Sequence, residues 1–232
     1  MTRARVAVLV SGGGSNLQAL IDYLGALGDA RAADIVLVAS NRREAGALAR
    51  ARAANIPTAI IRSSRDASGE PLLTLLEGHA IDLVVCAGYL QLVPADVTQA
   101  FRGRIVNVHP APLPQFGGAG MYGRHVHRAV LDAAAMFSGP TVHFVDEQYD
   151  HGGTIAHWPV PVLPADDEHA LAARVLRAEH LLLPRAVQRG TSAEPMPASY
   201  VLPAFDPALD DDQLGQIVDK WFGLVSDTPA GA

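Results

Sequence analysis

The chain has 232 residues, with 18 Lys plus Arg against 24 Asp plus Glu for a net charge of −6, 49% hydrophobic residues and one cysteine. So much apolar chain supports one domain of roughly 200 residues with an appendage, or two small domains, and excludes general disorder. Cys86 has no disulfide partner, no apolar run reaches the roughly 18 residues of a membrane span, and an acidic excess disfavours duplex nucleic acid as the main partner.

The opening Met-Thr-Arg-Ala-Arg leads directly into Arg5-Val-Ala-Val-Leu-Val-Ser11, a run too short for a signal-peptide core, so a cytoplasmic protein is expected. Its lack of polar alternation predicts a strand buried on both faces. A helix is predicted through Leu17, Leu20, Ile21 and Leu24, then a strand over 34–40, a helix over 43–54 and a strand over 58–61. Helix 70–79, strand 81–86, helix 95–101 and strand 104–109 follow. Strands alternating with helices indicate a doubly wound α/β sheet. Beyond it, 140–145 and 154–162 read as two further strands joined by a polar loop, for about seven in a mostly parallel sheet. Residues 166–188 read as a long helix capped by Asp166 or Asp167, with Leu171, Val175, Ala178 and Leu182 as its stripe. A Pro/Ala/Ser-rich surface crossing over 190–207 precedes a last amphipathic helix over 210–225.

Three motifs carry chemistry. Ser11-Gly-Gly-Gly-Ser-Asn16 joins the first strand to the first helix, where free N–H groups favour an anion. It matches the dinucleotide fingerprint only in part, because the third small position is Leu17 and the second strand ends in Ala39-Ser40-Asn41 without an acidic residue for a ribose diol. A phosphate is the expected ligand; a tight turn capped by Ser15 or Asn16 is the competing reading. Asn107 and His109 alternate on the fifth strand and share a face at its carboxyl end. An amide beside an imidazole can stabilise a developing oxyanion, while a lone strand-end His also serves as a structural hydrogen-bonding group. Asp150-His-Gly-Gly153 offers a carboxylate that would raise the pKa of His109 if close, or simply a turn. His125 and His127 lack acidic or Cys companions for a metal, so none is expected. His143 and His157 read as buried, satisfied strand residues, and Cys86 has no adjacent base.

Six motifs in order resemble the folate-dependent formyltransferases, and within them the branch acting on glycinamide ribonucleotide, over about Val6 to Val187. They are Ser-Gly-Gly-Gly-Ser-Asn-Leu-Gln at 11–18, Ala-Gly-Tyr-Leu-Gln-Leu at 87–92, Asn-Val-His-Pro at 107–110, Thr-Val-His-Phe-Val at 141–145, Asp-His-Gly-Gly at 150–153 and Ala-Glu-His at 178–180. The resemblance implies a Rossmann-like formyltransferase domain over 1–190, with a phosphate-binding half 1–103 and a folate and catalytic half 104–190, plus a C-terminal extension 191–232. It implies formyl transfer from 10-formyltetrahydrofolate to the amine of 5-phosphoribosylglycinamide in purine (IMP) biosynthesis, without a metal. Asn107, His109 and Asp150 become the catalytic trio; Gly13, Gly14, Ser15 and Asn16 hold the ribonucleotide phosphate, and Glu179 meets its glycinamide side. Arg65, Leu90, Gln91, Leu92, Val93, Asp146, Gln148 and Tyr149, together with Asn107 and Asp150, line the folate. The chain departs from the family pattern at Ala111, where Ser is usual, at Pro112, and at Gln91, where Arg is common. The stretch 116–123 is longer than in the shortest members and is expected near the substrate.

Three rivals are weighed. A 10-formyltetrahydrofolate hydrolase shares the trio but normally carries an N-terminal regulatory domain, for which a first strand near residue 5 leaves no room. A transfer-RNA formyltransferase needs a further basic domain of roughly 100 residues. A catalytically silent ligand-binding homologue would not need the trio. Small-molecule partners are expected, with no nucleic acid and no membrane, and a homodimer is left open.

Overall fold

In the computed structural model, which describes residues 2–62, 70–191 and 200–224, the first apolar run forms β1 (Ala4–Val10), with Val6 through Val10 fully buried. The chain continues through α1 (Ser15–Ala26), β2 (Ala33–Ser40), α2 (Gly46–Ala53), β3 (Thr58–Ile60) and α3 (Leu72–Gly78). Next come β4 (Leu83–Cys86), α4 (Ala95–Ala100), β5 (Ile105–His109) and α5 (Arg124–Asp132). The last part holds β6 (Phe137–Ser138), β7 (Thr141–Phe144), β8 (Thr154–His157), β9 (Val160–Pro161), α6 (Glu168–Gly190), β10 (Tyr200–Val201) and α7 (Asp211–Phe222).

The main sheet runs β10-β8-β7-β5-β4-β1-β2-β3. β1 to β5 pair in parallel, β7 lies antiparallel between β5 and β8, and β10 adds in parallel to β8. The chain winds outward from β1 to β3, then restarts at β4 on the other side of β1. Open α/β sheets leave a crevice outside the carboxyl ends of the strands where the winding reverses. One face of the sheet packs Leu17, Leu20, Leu48, Val126, Leu171, Val175 and Leu182 from α1, α2, α5 and α6. The other packs Leu72, Leu75, Leu76 and Val97 from α3 and α4.

Three details differ from the sequence reading, and the α6 cap is decided between its two candidates. The single strand expected over 154–162 breaks after His157, because Pro159 has no N–H to donate, and Val160 instead pairs with Ser138 in a separate two-stranded sheet. Helix α5, not predicted, follows the Gly-rich stretch and buries Val126, His127 and Val130. Asp167 caps α6 by accepting from the His169 and Ala170 N–H groups, while Asp166 forms an ion pair with Arg174. The eighth strand of the sheet, β10, comes from the segment read as a surface crossing.

Residues 200–224 contribute to the core. Leu202, Phe205, Leu214, Val218 and Phe222 are buried in the same cluster as β1, β7 and α6. Phe205 stacks edge-on against Trp158 at 5.2 Å, and α7 is fixed by a capping box between Asp210 and Gln213. Truncating a buried Phe costs about 3–5 kcal/mol. Phe205→Ala is therefore expected to lower unfolding stability by that amount in chemical denaturation; a value near zero would place residues 200–224 outside the cooperative core.

Candidate active site

The glycine loop leaves β1 at the sheet's winding reversal. Gly14 caps α1 with φ 79°, and a Cβ there would come within 2.5 Å of the Ala47 side chain, so only glycine fits. Neither Ser15 nor Asn16 acts as the cap: both lie in the first turn of α1, whose leading N–H groups have no intrahelical partner. Ser11 ties the loop down, donating to Asn41 Oδ1 (2.6 Å) while accepting from the Leu90 N–H (3.0 Å).

A cavity of about 440 Å³ opens beside this helix start. Asn16 lines it and donates to Glu179 Oε2 at 2.6 Å, which joins α1 to α6. Gly13 lines a separate open groove with Arg42 and Gly46. Burial pushes the Glu179 carboxyl up to about 7, against the downward pull of the Asn16 amide. Asn16 Oδ1 is buried without a protein partner.

Asn107, His109 and Asp150 line the same cavity. The β5–β7 register sets Asn107 opposite His143, and the Asn107 amide lies 3.0 Å from His143 Nε2. His143 Nδ1 is 2.7 Å from the Phe144 carbonyl, which can only accept, so Nδ1 carries a proton, while Nε2 lies between the Asn107 amide and the Asp150 carboxylate. One Asn107 N–H is left for a ligand. By the same logic, His109 Nε2–H donates to the Phe116 carbonyl at 2.8 Å. Its Nδ1 faces Asp150 Oδ2 at 3.4 Å, while Asp150 Oδ1 lies 3.6 Å from His143 Nε2 and Oδ2 accepts from the Gly118 N–H at 3.0 Å.

Burial pushes the Asp150 carboxyl up, but His143, His109 and the Gly118 N–H together leave it below the ordinary carboxylate range. The His109 side chain is 4% exposed. Its burial outweighs the upward pull of Asp150 and of the Phe116 carbonyl, and its pKa lies below the ordinary value. The net direction is thus opposite to the sequence expectation, although Asp150 acts with the expected sign. Behind His109, burial lowers His127 to about 4. Among the described residues no group of three His, Cys, Asp or Glu could hold a metal ion.

A side chamber of about 60 Å³ adjoins the main cavity and shares Tyr89, Asn107, Tyr149 and Asp150 with it. Gln91, Leu92, Val93 and Gln148 line this chamber, and Leu90 lines the main cavity. Asp146 lines neither: it accepts from the Gln148 N–H and pairs with His151 at 2.9 Å, closing the 146–151 loop on itself. Arg65 lies outside the described residues. Sequence reasoning missed His143 and Gly118. A buried strand His reads as structural until cross-strand register is known; the Gly118 contact is a backbone group and leaves no side-chain signal.

The residues from β1 to α6 define a class. The sequence matches the family described as Formyl transferase over residues 4–187, and the chain belongs to it. Within the class, it is similar to the chloroplastic phosphoribosylglycinamide formyltransferases of Arabidopsis thaliana (42% identical, covering 78% of this chain and 63% of the relative) and Vigna unguiculata (41%, covering 80% and 60%). It therefore spans about three fifths of those relatives' length. It also resembles the crystal structure of phosphoribosylglycinamide formyltransferase from Brucella melitensis, at TM-score 0.72 and 40% identity, covering 85% of this chain and 100% of that one. No helix among the described residues is long and apolar enough to cross a membrane.

The buried Glu179 yields a stability test. The folded state keeps its proton up to about pH 7, whereas the unfolded chain releases it near the ordinary carboxyl range. The native state thus binds the extra proton between those values, and stability falls as pH rises from about 4.5 to about 7, by roughly 3 kcal/mol. Glu179→Gln is expected to remove this slope in denaturation midpoints measured across that range; an identical slope in both proteins would show that Glu179 titrates normally.

Proposed function

We propose that the chain transfers the formyl group of 10-formyltetrahydrofolate to the amine of 5-phosphoribosylglycinamide, a step of purine (IMP) biosynthesis. The observation that carries this reading is the pair of chambers meeting at Asn107 and Asp150. Two substrates approaching from two sides would bring their reacting atoms together there. The chamber at Gln91, Leu92, Val93 and Gln148 would receive a flat heterocycle on widening from its present volume, and 10-formyltetrahydrofolate, as co-substrate, supplies an electrophilic formyl carbon. The main cavity, with Asn16 from the first turn of α1 and the carboxyl of Glu179, suits a phosphorylated sugar bearing an amine.

In this mechanism the substrate amine adds to the formyl carbon, the carbonyl oxygen becomes an oxyanion, the bond to the folate nitrogen breaks, and one proton passes from the amine to that nitrogen. Asn107 donates its free N–H to the oxyanion. His109 meets it through Nδ1, since Nε2 is bonded to Phe116. The low pKa of the empty ring leaves His109 neutral at rest; as negative charge develops beside it, the ring takes the amine proton and then returns it to the folate nitrogen. Asp150 stabilises that cation and so assists the proton transfer. The partners are small molecules, without nucleic acid or membrane, and the setting is the cytoplasm; the plant relatives are named chloroplastic.

Losing an oxyanion donor costs about 10²–10³ in rate. His109→Ala and Asp150→Asn are expected to lower kcat by about that factor while leaving thermal unfolding cooperative, in an assay with 10-formyltetrahydrofolate and glycinamide ribonucleotide. Turnover near that of the unaltered protein in both variants would sink the mechanism, and formyl release independent of the ribonucleotide would mark a hydrolase instead.

A further inference from the structure

Helices α1 and α6 lie side by side and are linked at two heights, with a third link from α6 to the connection between α1 and β2. At the cavity, Asn16 bonds Glu179 at 2.6 Å. Further along, the Arg185 guanidinium stacks over the Tyr23 ring at 4.8 Å. At the far end, Gln188 donates to the Ala30 carbonyl (3.0 Å) and accepts from the Ala32 N–H (2.9 Å). The middle link is completed from outside the two helices. Asp219 of α7 accepts from Arg185 Nε at 2.8 Å and Nη2 at 3.2 Å, and from the Tyr23 hydroxyl at 3.4 Å.

This cluster is largely shielded: the Arg185 and Asp219 side chains are 11% and 20% exposed. Two further observations show how closely the C-terminal segment is fitted to α6. A Cβ at Gly215 would stand 2.5 Å from Arg185 Nη2, so a glycine in the interior of α7, normally unfavourable against alanine, makes room for the ion pair. Arg177, on the other side of Glu179 along α6, is also held by this segment, through Asp211 and the Leu209 carbonyl. Glu179 is thus bracketed by two arginines that residues 209–219 hold in place.

We propose that Tyr23, Arg185 and Asp219 are positioning residues: they set the spacing of α1 and α6, and through it the seat that Asn16 and Glu179 offer the ribonucleotide. This inference rests on the substrate-side role proposed for that pair. It gives the segment beyond residue 190 a task in substrate binding. A short hydrogen bond between two buried side chains tolerates little displacement, and Asn16 Oδ1 has no protein partner to compensate. Asn107, His109 and Asp150 stand on β5 and the 146–153 loop, so loosening this brace leaves the chemical step intact.

Steady-state kinetics of Asp219→Asn and Gly215→Ala in the full chain test it. Both are expected to raise KM for the ribonucleotide about three- to tenfold, with kcat and KM for the formyl donor within about twofold. In both, carboxyl NMR is expected to show the Glu179 titration moving down from about 7 as water reaches it. Unchanged ribonucleotide KM and unchanged titration in both variants would overturn the proposal, as would an equal loss across kcat and both KM values. Glu179→Gln in the same assay separates the two readings. If it raises the ribonucleotide KM while Asp219→Asn does not, the substrate site stands and the brace falls. If it leaves that KM unchanged, the substrate-side role falls and the brace with it.

Discussion

The Asp150 carboxylate is the tie on which the site depends. It draws together the Gly118 N–H, His109 on β5 and His143 on β7, three groups from separate parts of the chain. Its own backbone has φ 55°, a left-handed conformation that Asp adopts more readily than most residues. Two residues on, a Cβ at Gly152 would lie 2.0 Å from the Phe144 carbonyl, so the loop can close onto β7 only with glycine there. A carboxylate held below its ordinary range keeps its charge, and that charge is what a buried imidazole needs if it is to become a cation during reaction.

Burial and charge are opposed at this point, and the opposition serves chemistry. A cation would meet an oxyanion most strongly, but burial disfavours a cation in the empty site. His109 is instead held neutral by burial, with Asp150 at 3.4 Å on one edge and the Phe116 carbonyl on the other. Both edges face acceptors, so a second proton is received as soon as negative charge develops nearby. The Asn107 amide is oriented by a neighbour on the adjacent strand, His143, which leaves one N–H directed to a ligand. Electrostatic groups fixed before reaction need no reorganisation during it.

The parts legible in the sequence were those with a local cause. Buried β-branched runs marked β1 to β5, Asp166 or Asp167 and Asp210 marked helix starts, and the alternation of Asn107 with His109 marked a shared face. Parts that depend on partners distant in the chain were not legible. Helix α5 is an exception: Val126, Ala129 and Val130 stand at i, i+3 and i+4, a local helical signal in a run of nine residues that directly follows a Gly-rich stretch. β10 is two residues long and exists because β8 offers it an edge. The role of His143 depends on strand register, and the net pKa direction of His109 on how completely the fold buries it. The links from Arg177 and Arg185 to the C-terminal segment span 34 residues, beyond any local pattern.

The protonation of His109 is the most direct point of test. Ring-nitrogen NMR shifts would be recorded at neutral pH for the free protein and for its complex with a folate analogue bearing a hydrated, tetrahedral carbon at the formyl position. A singly protonated ring in the free protein and a doubly protonated ring in the complex are predicted. A ring that stays singly protonated in the complex would contradict the assignment of His109, supported by Asp150, as the group that meets the oxyanion with positive charge.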